Sequence, residues 1–314
     1  MSEKYLITGG AGFIGSNLTA ELLNSGAQVR VLDNFSTGKR ENLLPFKGHQ
    51  NMELIEGDLR SFHIVRQAVK GVDYVLHQGA LPSVPRSIAD PITTNDVNIL
   101  GTLNVLEAAK EFGVKRVVYA SSSSIYGNSP TLPKSEEMPV QPLSPYALSK
   151  YTGERYSQIF HQVYGLETVC LRYFNVFGPN QDPASQYSAV IPKFIKMISE
   201  GISPIIYGDG GHSRDFTPVA NVVRANLLAC RSTGASGQVF NIACGQRHTL
   251  LDLVTAINKF LGSRVEPRFE KERAGDVRDS MASIERAAKG MGYRPEVSFQ
   301  EGLASLIKIT ADGK

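Results

Sequence analysis

Short runs of β-branched and aromatic residues alternate with stretches of helical periodicity through the first half of the chain. Tyr5–Thr8, Val29–Asp33, Met52–Ile55, Tyr74–His77 and Arg116–Ala120 read as strands. Between the first two, Ile14, Leu18 and Leu22 recur every fourth residue, which puts them on one face of a helix. Strand–helix alternation of this kind predicts an α/β fold: a doubly wound parallel sheet of the Rossmann type, with ligands beyond the carboxyl ends of its strands.

After residue 178 the rhythm loosens into connections such as Tyr207-Gly208-Asp209-Gly210-Gly211. Helical stretches near 188–200, 218–231 and 249–261 and a strand near 238–243 predict a smaller α+β region. Residues 1–178 are thus expected to form a dinucleotide-binding domain that carries the chemistry. Residues 179–314 are expected to form most of a substrate-binding region, with a strand free to return to the main sheet. No internal repeat or low-complexity linker separates the two parts, so a cleft between closely packed units is expected.

Composition narrows the classes. With 42% hydrophobic and 20% charged residues among 314, the chain has ample material for a core, which excludes a disordered protein or a small stapled scaffold. The 33 Lys and Arg balance 30 Asp and Glu without a basic block, so neither nucleic acid nor an anionic membrane is an expected partner. Cys170, Cys230 and Cys244 are odd in number and far apart, and the 6 histidines are scattered. Neither a disulfide framework nor a metal site is therefore expected. The chain opens without a basic leader followed by an apolar stretch, and no run nears the roughly 20 apolar residues of a membrane span. A cytoplasmic protein is the expectation.

Thr8-Gly9-Gly10-Ala11-Gly12-Phe13-Ile14-Gly15 joins the first strand to the first helix. Gly9, Gly12 and Gly15 permit a tight turn and close approach of backbone to a pyrophosphate, whose charge meets the free N–H groups of the helix start. Asp33 ends the next strand 18 residues after Gly15, where a carboxylate accepts hydrogen bonds from an adenosine ribose and repels a 2′-phosphate. NAD is therefore expected rather than NADP, with Lys39 and Arg40 the features that argue the other way. Asp58 and Leu59 after the third strand, and Gln78 and Ala80 after the fourth, face the same cofactor in this topology; each is also explained as an ordinary strand-end turn.

Ser144-Pro145-Tyr146-Ala147-Leu148-Ser149-Lys150 has the form of a helix start, with Ser144 as N-cap and Pro145 in the first turn. Tyr146 and Lys150 then share a face. A Tyr four residues before a Lys arises by chance in such a chain, so the weight comes from placement after the Ser-rich end of the fifth strand, Ser121 to Ser124. A phenol of ordinary pKa near 10 is a poor base at neutral pH. An ammonium, a helix N-terminus and a nicotinamide cation would each pull it down. Tyr146 is the expected general base toward a carbinol, Lys150 its partner and a cofactor-ribose ligand, and Ser122 a hydroxyl bonded to the same oxygen.

Together these features resemble the extended short-chain dehydrogenase/reductase family, and in particular its nucleotide-sugar epimerases, nearly end to end. Leu81–Ser87, Arg172–Pro179, Ser213–Phe216 and Gly275–Ser280 are similar to the branch acting on UDP-N-acetylglucosamine. The resemblance implies reversible inversion at the hexose C4 through a 4-keto sugar, with a tightly held NAD restored at each turnover. It implies cofactor contacts from Phe13, Ile14, Asn34, Ser36, Thr37 and Gly38, and adds Ser123 and Ser124 to the catalytic segment. Sugar-nucleotide contacts are implied for Ser83, Asn175, Val190, Tyr207, Arg214, Arg273, Asp276 and Ser280, with Asn98 steadying the central helix.

Ser280 stands where glucose-restricted members resemble one another in carrying a tyrosine, which implies room for a 2-acetamido group. Leu81-Pro82-Ser83 replaces a lysine common in the glucose-type members and points the same way. The apolar positions of helices 98–112 and 145–163 are similar to those that form a two-fold bundle in this family, implying a homodimer. Other readings stay open. A UDP-glucuronate 4-epimerase or decarboxylase would use Arg86 or Arg278. Related 4,6-dehydratases have Asp-Glu where this chain has Ser123-Ser124, and a non-catalytic NAD-binding regulator has no need of both Tyr146 and Lys150.

Overall fold

The computed structural model describes residues 3–182, 190–271 and 278–312. Its centre is a seven-stranded sheet in which every pairing is parallel. Strands β1 (Lys4–Thr8), β2 (Gln28–Asp33), β3 (Met52–Glu56), β4 (Tyr74–His77), β5 (Arg116–Ser122) and β6 (Thr168–Tyr173) run in the order β6-β5-β4-β1-β2-β3. A seventh strand, Val239–Ile242, adds beside β6. Thr8 pairs with Leu32 on one side and His77 on the other, so the carboxyl ends of β1, β2 and β4 finish level. Chain order reverses between β1 and β4, which opens a crevice there.

Side chains of β1 alternate between two cores, as a strand of period two must. Tyr5 and Ile7 join the apolar cluster under helix α1 (Phe13–Asn24) and helix Val219–Arg231, whereas Leu6 joins the one under Phe62–Val69, Gly101–Glu111 and Pro145–Tyr164. Helix Val219–Arg231 and the seventh strand belong to the sheet layer although they follow residue 178. A third cluster fills a smaller lobe, where helices Val190–Ser199, Leu250–Leu261 and Phe299–Asp312 surround Phe177, Phe216 and Phe299. Thr249 starts the second of these with a capping box to Asp252, which satisfies two backbone donors reciprocally.

One buried polar network fixes the long helix Pro145–Tyr164 to the sheet. Arg172 on β6 grips Glu154 through two bonds of 2.8 and 2.9 Å, and both side chains are almost fully buried. Ser121 donates to the same carboxylate, Arg172 also donates to the Tyr126 hydroxyl, and Tyr126 donates to Asn241 on the seventh strand. A buried charge is tolerated only when its partners are complete, and here they are drawn from β5, β6, the seventh strand and the helix.

The helix expected over 98–112 is longer and less regular. Pro91–Asn95 runs into a wide π-helical turn, Asp96–Leu100, before the regular helix Gly101–Glu111. Such turns insert one extra residue and redirect side chains, and they cluster at functional sites. Here the residue inside the turn is Asn98. Among the described residues no helix is long and apolar enough to cross a membrane, and no group of His, Cys, Asp and Glu is placed to hold a metal ion.

Candidate active site

The crevice at the switch point is a cleft of about 680 Å³, a size that suits a small organic ligand. Its floor is the glycine-rich turn. Gly9 adopts φ +68°, and a Cβ there would lie 2.7 Å from the Gly79 Cα; a Cβ on Gly15 would lie 2.1 Å from the Gly9 carbonyl oxygen. Only glycine lets the turn pack this closely on the segment after β4 and on the helix start, and α1 begins at Phe13 with no side chain capping it. Its first N–H groups are free for an anion.

Along the walls, Asp33 is 7% exposed and accepts hydrogen bonds from Ala11 N (2.9 Å) and Phe35 N (2.8 Å), one on each oxygen. Burial pushes its carboxyl above the ordinary carboxylate value, and the two N–H bonds oppose that. Asp58 takes the opposite course: the Arg60 guanidinium bonded to it holds it at about 2, while Asn34 donates to it at 2.9 Å. Gly12, Phe13, Ile14, Ser36, Thr37, Leu59, Gln78, Ala80 and Ser83 complete the expected lining. Gly38 does not line the cleft. A Cβ there would fall 2.9 Å from an Asp33 oxygen and 3.0 Å from Ala11, so it is a packing glycine behind the carboxylate.

The same cleft receives Tyr146 and Lys150. Ser144 caps their helix by accepting from Ala147 N at 3.1 Å, and Gly165 ends it in the left-handed conformation. The Ser122 hydroxyl is close enough to the Tyr146 phenol to pull its pKa down, and Ser122 accepts from Ser124 Oγ (2.9 Å) and Ser124 N (3.2 Å). Ser123 to Tyr126 form one 3₁₀ turn beyond β5. Ala120 and Ser121 line the cleft at this strand end, and the half-buried Ser122, Ser123 and Ser124 follow just beyond them, outside the lining.

The protein by itself does not acidify Tyr146, whose expected downward shift also drew on the nicotinamide cation. Burial raises the phenol above its ordinary value and outweighs the Ser122 hydrogen bond. Lys150 is buried, its Nζ donates to the Ala120 carbonyl at 2.9 Å, and burial lowers it to about 8. Its ammonium also lies 5.3 Å from the centre of the Tyr119 ring. In the protein alone desolvation is the larger effect, because Lys150 is buried and Tyr146 half-buried against the carboxyl ends of the strands.

A continuous hydrogen-bonded path joins the glycine turn to the catalytic helix. Gly79 N donates to Thr8 Oγ1 (3.1 Å), Thr8 Oγ1 meets His77 Nδ1 (2.7 Å), and His77 Nε2 meets Thr102 Oγ1 (2.9 Å). Thr102 donates to the Asn98 carbonyl at 2.6 Å. The Asn98 side chain pairs with both Leu81 N and Leu81 O and donates to Ser149 Oγ, which donates to the Tyr146 carbonyl. Burial lowers His77 to about 3, so the ring is neutral. Since the Thr102 hydrogen is committed to Asn98, His77 carries its proton on Nε2 and accepts from Thr8 on Nδ1.

The remaining expected contacts lie outside the cleft lining. Asn175, at φ +34°, donates to the Asp215 carbonyl, Arg214 donates to the carbonyls of Ser213 and Arg278, and Ser280 N donates to Ser213 O. Asn175, Arg214 and Ser280 are thus gathered around one short segment, 213–215, at the edge of the smaller lobe. Val190 opens a helix and Tyr207 ends the strand Ile205–Tyr207 of that lobe. Arg273 and Asp276 fall outside the described residues. Among the lining residues Val97, Asn180, Gln181 and Asp182 were not foreseen; Arg86, expected only for a glucuronate-type substrate, and Tyr173, expected only as part of the Arg172–Pro179 segment, join them. Tyr173 is held by a triangle with Gln78 and Asn226, and Lys39 reaches Asp182 at 3.0 Å across the cleft. Their signal is tertiary, since none sits at a motif spacing from the glycine turn.

Residues 5–243 match the model described as the NAD dependent epimerase/dehydratase family. The chain is similar over its full length to the UDP-N-acetylglucosamine 4-epimerase of Methanobrevibacter ruminantium M1, solved in complex with UDP-N-acetylmuramic acid: 40% identity, 100% of both chains covered, TM-score 0.95. The UDP-glucose 4-epimerase of Thermus thermophilus, solved with NAD, is 38% identical with a TM-score of 0.87, covering 97% of this chain and 98% of that one. A curated UDP-glucose 4-epimerase of Mycolicibacterium smegmatis is 37% identical over 308 residues, 98% of each chain. With the glycine cradle, the Asp33 carboxylate and the Tyr146–Lys150 pair on one cleft, the chain belongs to the NAD dependent epimerase/dehydratase family, within the extended short-chain dehydrogenases/reductases, and its cofactor is NAD.

Proposed function

We propose that this UDP-sugar 4-epimerase accepts UDP-N-acetylglucosamine and UDP-N-acetylgalactosamine alongside UDP-glucose and UDP-galactose. The glycine turn, Asp33, Asp58 and Lys150 hold NAD, which when bound supplies the acceptor that takes the C4 hydrogen with its electron pair and gives it back. Tyr146 removes the 4-hydroxyl proton and later returns it. Ser122 donates to the same oxygen as it becomes a carbonyl. Arg214, with Arg273, grips the diphosphate because a planar guanidinium matches phosphate oxygens and stays charged. Asn175, Val190, Tyr207 and Asp276 complete the nucleotide grip. Ser83, held at φ +96° at the start of a short helix in the cleft wall, faces the sugar.

The observation that carries the sugar preference is the small Ser280 beside the Ser213–Arg214 strand, where a ring would occupy the space of an acetamido group. Ser280→Tyr is expected to cut turnover of the two N-acetylated sugars on the order of 100-fold or more, leaving the plain hexoses within about threefold. Chromatographic assay of all four UDP-sugars measures this; equal loss for both pairs rejects the reading.

The chain also works as a homodimer in this proposal. Ile88, Ile92, Leu148 and Val163 are 64%, 75%, 51% and 66% exposed on the neighbouring helices 84–95 and 145–164, an apolar surface that a second copy covers. Leu148→Glu is expected to halve the mass read by analytical ultracentrifugation. A wild-type protein that sediments as a monomer would overturn the dimer.

A further inference from the structure

Asp215 is 0% exposed, and what meets its carboxylate is backbone. Cys244 N donates to Oδ1 at 3.0 Å, while Gly245 N and Ala282 N donate to Oδ2 at 3.0 and 3.1 Å. These donors come from two separate segments, the turn after the seventh strand and the stretch just past Ser280. Its own main-chain carbonyl accepts from Asn175 Nδ2 at 3.4 Å. One residue before it is Arg214; two before it is Ser213, whose carbonyl receives Ser280 N at 3.0 Å and whose N–H bonds Arg278 O at 3.0 Å. A single buried residue therefore ties together the described segments that carry Asn175, Arg214 and Ser280: its carboxylate gathers the 243–246 and 280–282 segments, and its main-chain carbonyl holds Asn175.

A buried carboxylate is a costly way to fill space, because leaving water disfavours its charged form. Indeed burial raises this carboxyl to about 6 despite the N–H bonds. An ionised carboxylate has about four acceptor positions and no hydrogen to donate, so it can collect N–H groups from several loops at once. An amide of the same shape has one oxygen, and its NH₂ would face donors. The group is matched to holding loops in register rather than to filling a core.

We propose that Asp215 is a positioning residue for the sugar-nucleotide half of the site: it locks the 213–217, 243–246 and 280–282 segments so that Arg214, Asn175 and Ser280 present one preformed grip. This rests on the assignment of those three residues to the UDP-sugar, and it places no demand on the Tyr146 end of the cleft. Removing such a group weakens ground-state and transition-state binding of the nucleotide alike, which raises KM and leaves kcat.

Asp215→Asn is the test, assayed with UDP-glucose and UDP-N-acetylglucosamine on the NAD-loaded enzyme. The expected result is a KM roughly tenfold or more higher for both sugars, kcat within about threefold, and unchanged NAD binding. A folded variant with unaltered KM, or with kcat and NAD binding falling as much as KM rises, overturns the proposal. Should the variant not fold, hydrogen–deuterium exchange of the wild type decides: UDP alone is expected to slow exchange in peptides covering 243–246 and 280–283, and NAD alone to leave them unchanged. Peptides indifferent to UDP overturn it. Failure of the wild type to interconvert any UDP-sugar would instead refute the substrate assignment, and the exchange experiment still judges Asp215 by itself.

Discussion

Tyr146→Phe is expected to lower kcat on the order of 10³-fold or more while the protein stays folded and binds NAD and UDP-sugar. The change deletes one oxygen from a ring on the cleft wall and leaves the packing of the helix start untouched, since Ser144 still caps Ala147 N. What it removes is the group that carries the 4-hydroxyl proton, and Ser122 cannot replace it because a serine hydroxyl is a far weaker acid. The wild-type pH profile is expected to report the same assignment. Burial holds the Tyr146 phenol above its ordinary value and Lys150 down at about 8. Activity should therefore climb as pH rises toward phenol ionisation and be checked above about 8, where Lys150 gives up the proton that makes it a cation. Steady-state assays from about pH 6 to 10 with wild type, Tyr146→Phe and Lys150→Met read this. A Tyr146→Phe enzyme retaining a tenth of the activity would remove Tyr146 from the proton path.

What could be read from the sequence was whatever depends on near neighbours in the chain. All the sheet strands but β6 follow from runs such as Val29–Asp33 and Tyr74–His77, and the start of the catalytic helix follows from Ser144-Pro145, because capping and periodicity act within a few residues. Strand β6 was hidden by its own chemistry. All of Thr168–Tyr173 is buried, yet Arg172 interrupts the apolar run, and only the distant Glu154 and Tyr126 make that charge acceptable inside. The π-helical turn at Asp96–Leu100 was equally silent, since an inserted residue in a helix has no residue-type signature of its own.

The site divides along the same line. The glycine turn and Asp33 form a local strand-turn-helix unit whose spacing is its own signature. Burial of the Tyr146 phenol is a property of the finished cleft, so its upward pull in the protein alone could not be read from the spacing that placed the residue beside the cofactor turn. The Gln78–Tyr173–Asn226 triangle and the Asp215 cluster bring together residues far apart in the chain, and no pattern along one strand of sequence encodes them.

Gly15→Ala is expected to weaken NAD binding about 100-fold and to cost about 1–3 kcal/mol of stability, the usual penalty for forcing atoms into a filled space. The added methyl would meet the Gly9 carbonyl oxygen at 2.1 Å and the Gly10 Cα at 2.8 Å, which are backbone atoms of the very turn that cradles the cofactor. Side chains swing away at little cost; this turn cannot, because Gly9 N is bonded to Leu32 O at 2.8 Å and Gly12 N to Gly9 O at 3.1 Å. The turn must lift off α1, and the free N–H groups at the helix start then lose their aim at the pyrophosphate. Gly12→Ala is the internal comparison. Its methyl would find only the Gly9 oxygen, at 3.2 Å, so a displacement of a few tenths of an ångström suffices and the loss of NAD affinity should be several times smaller. NAD titration and thermal unfolding of both variants give the ranking. If Gly12→Ala were the more damaging, close packing of helix on turn would not be what forms the cofactor cradle, and a direct contact at Gly12 would have to take its place.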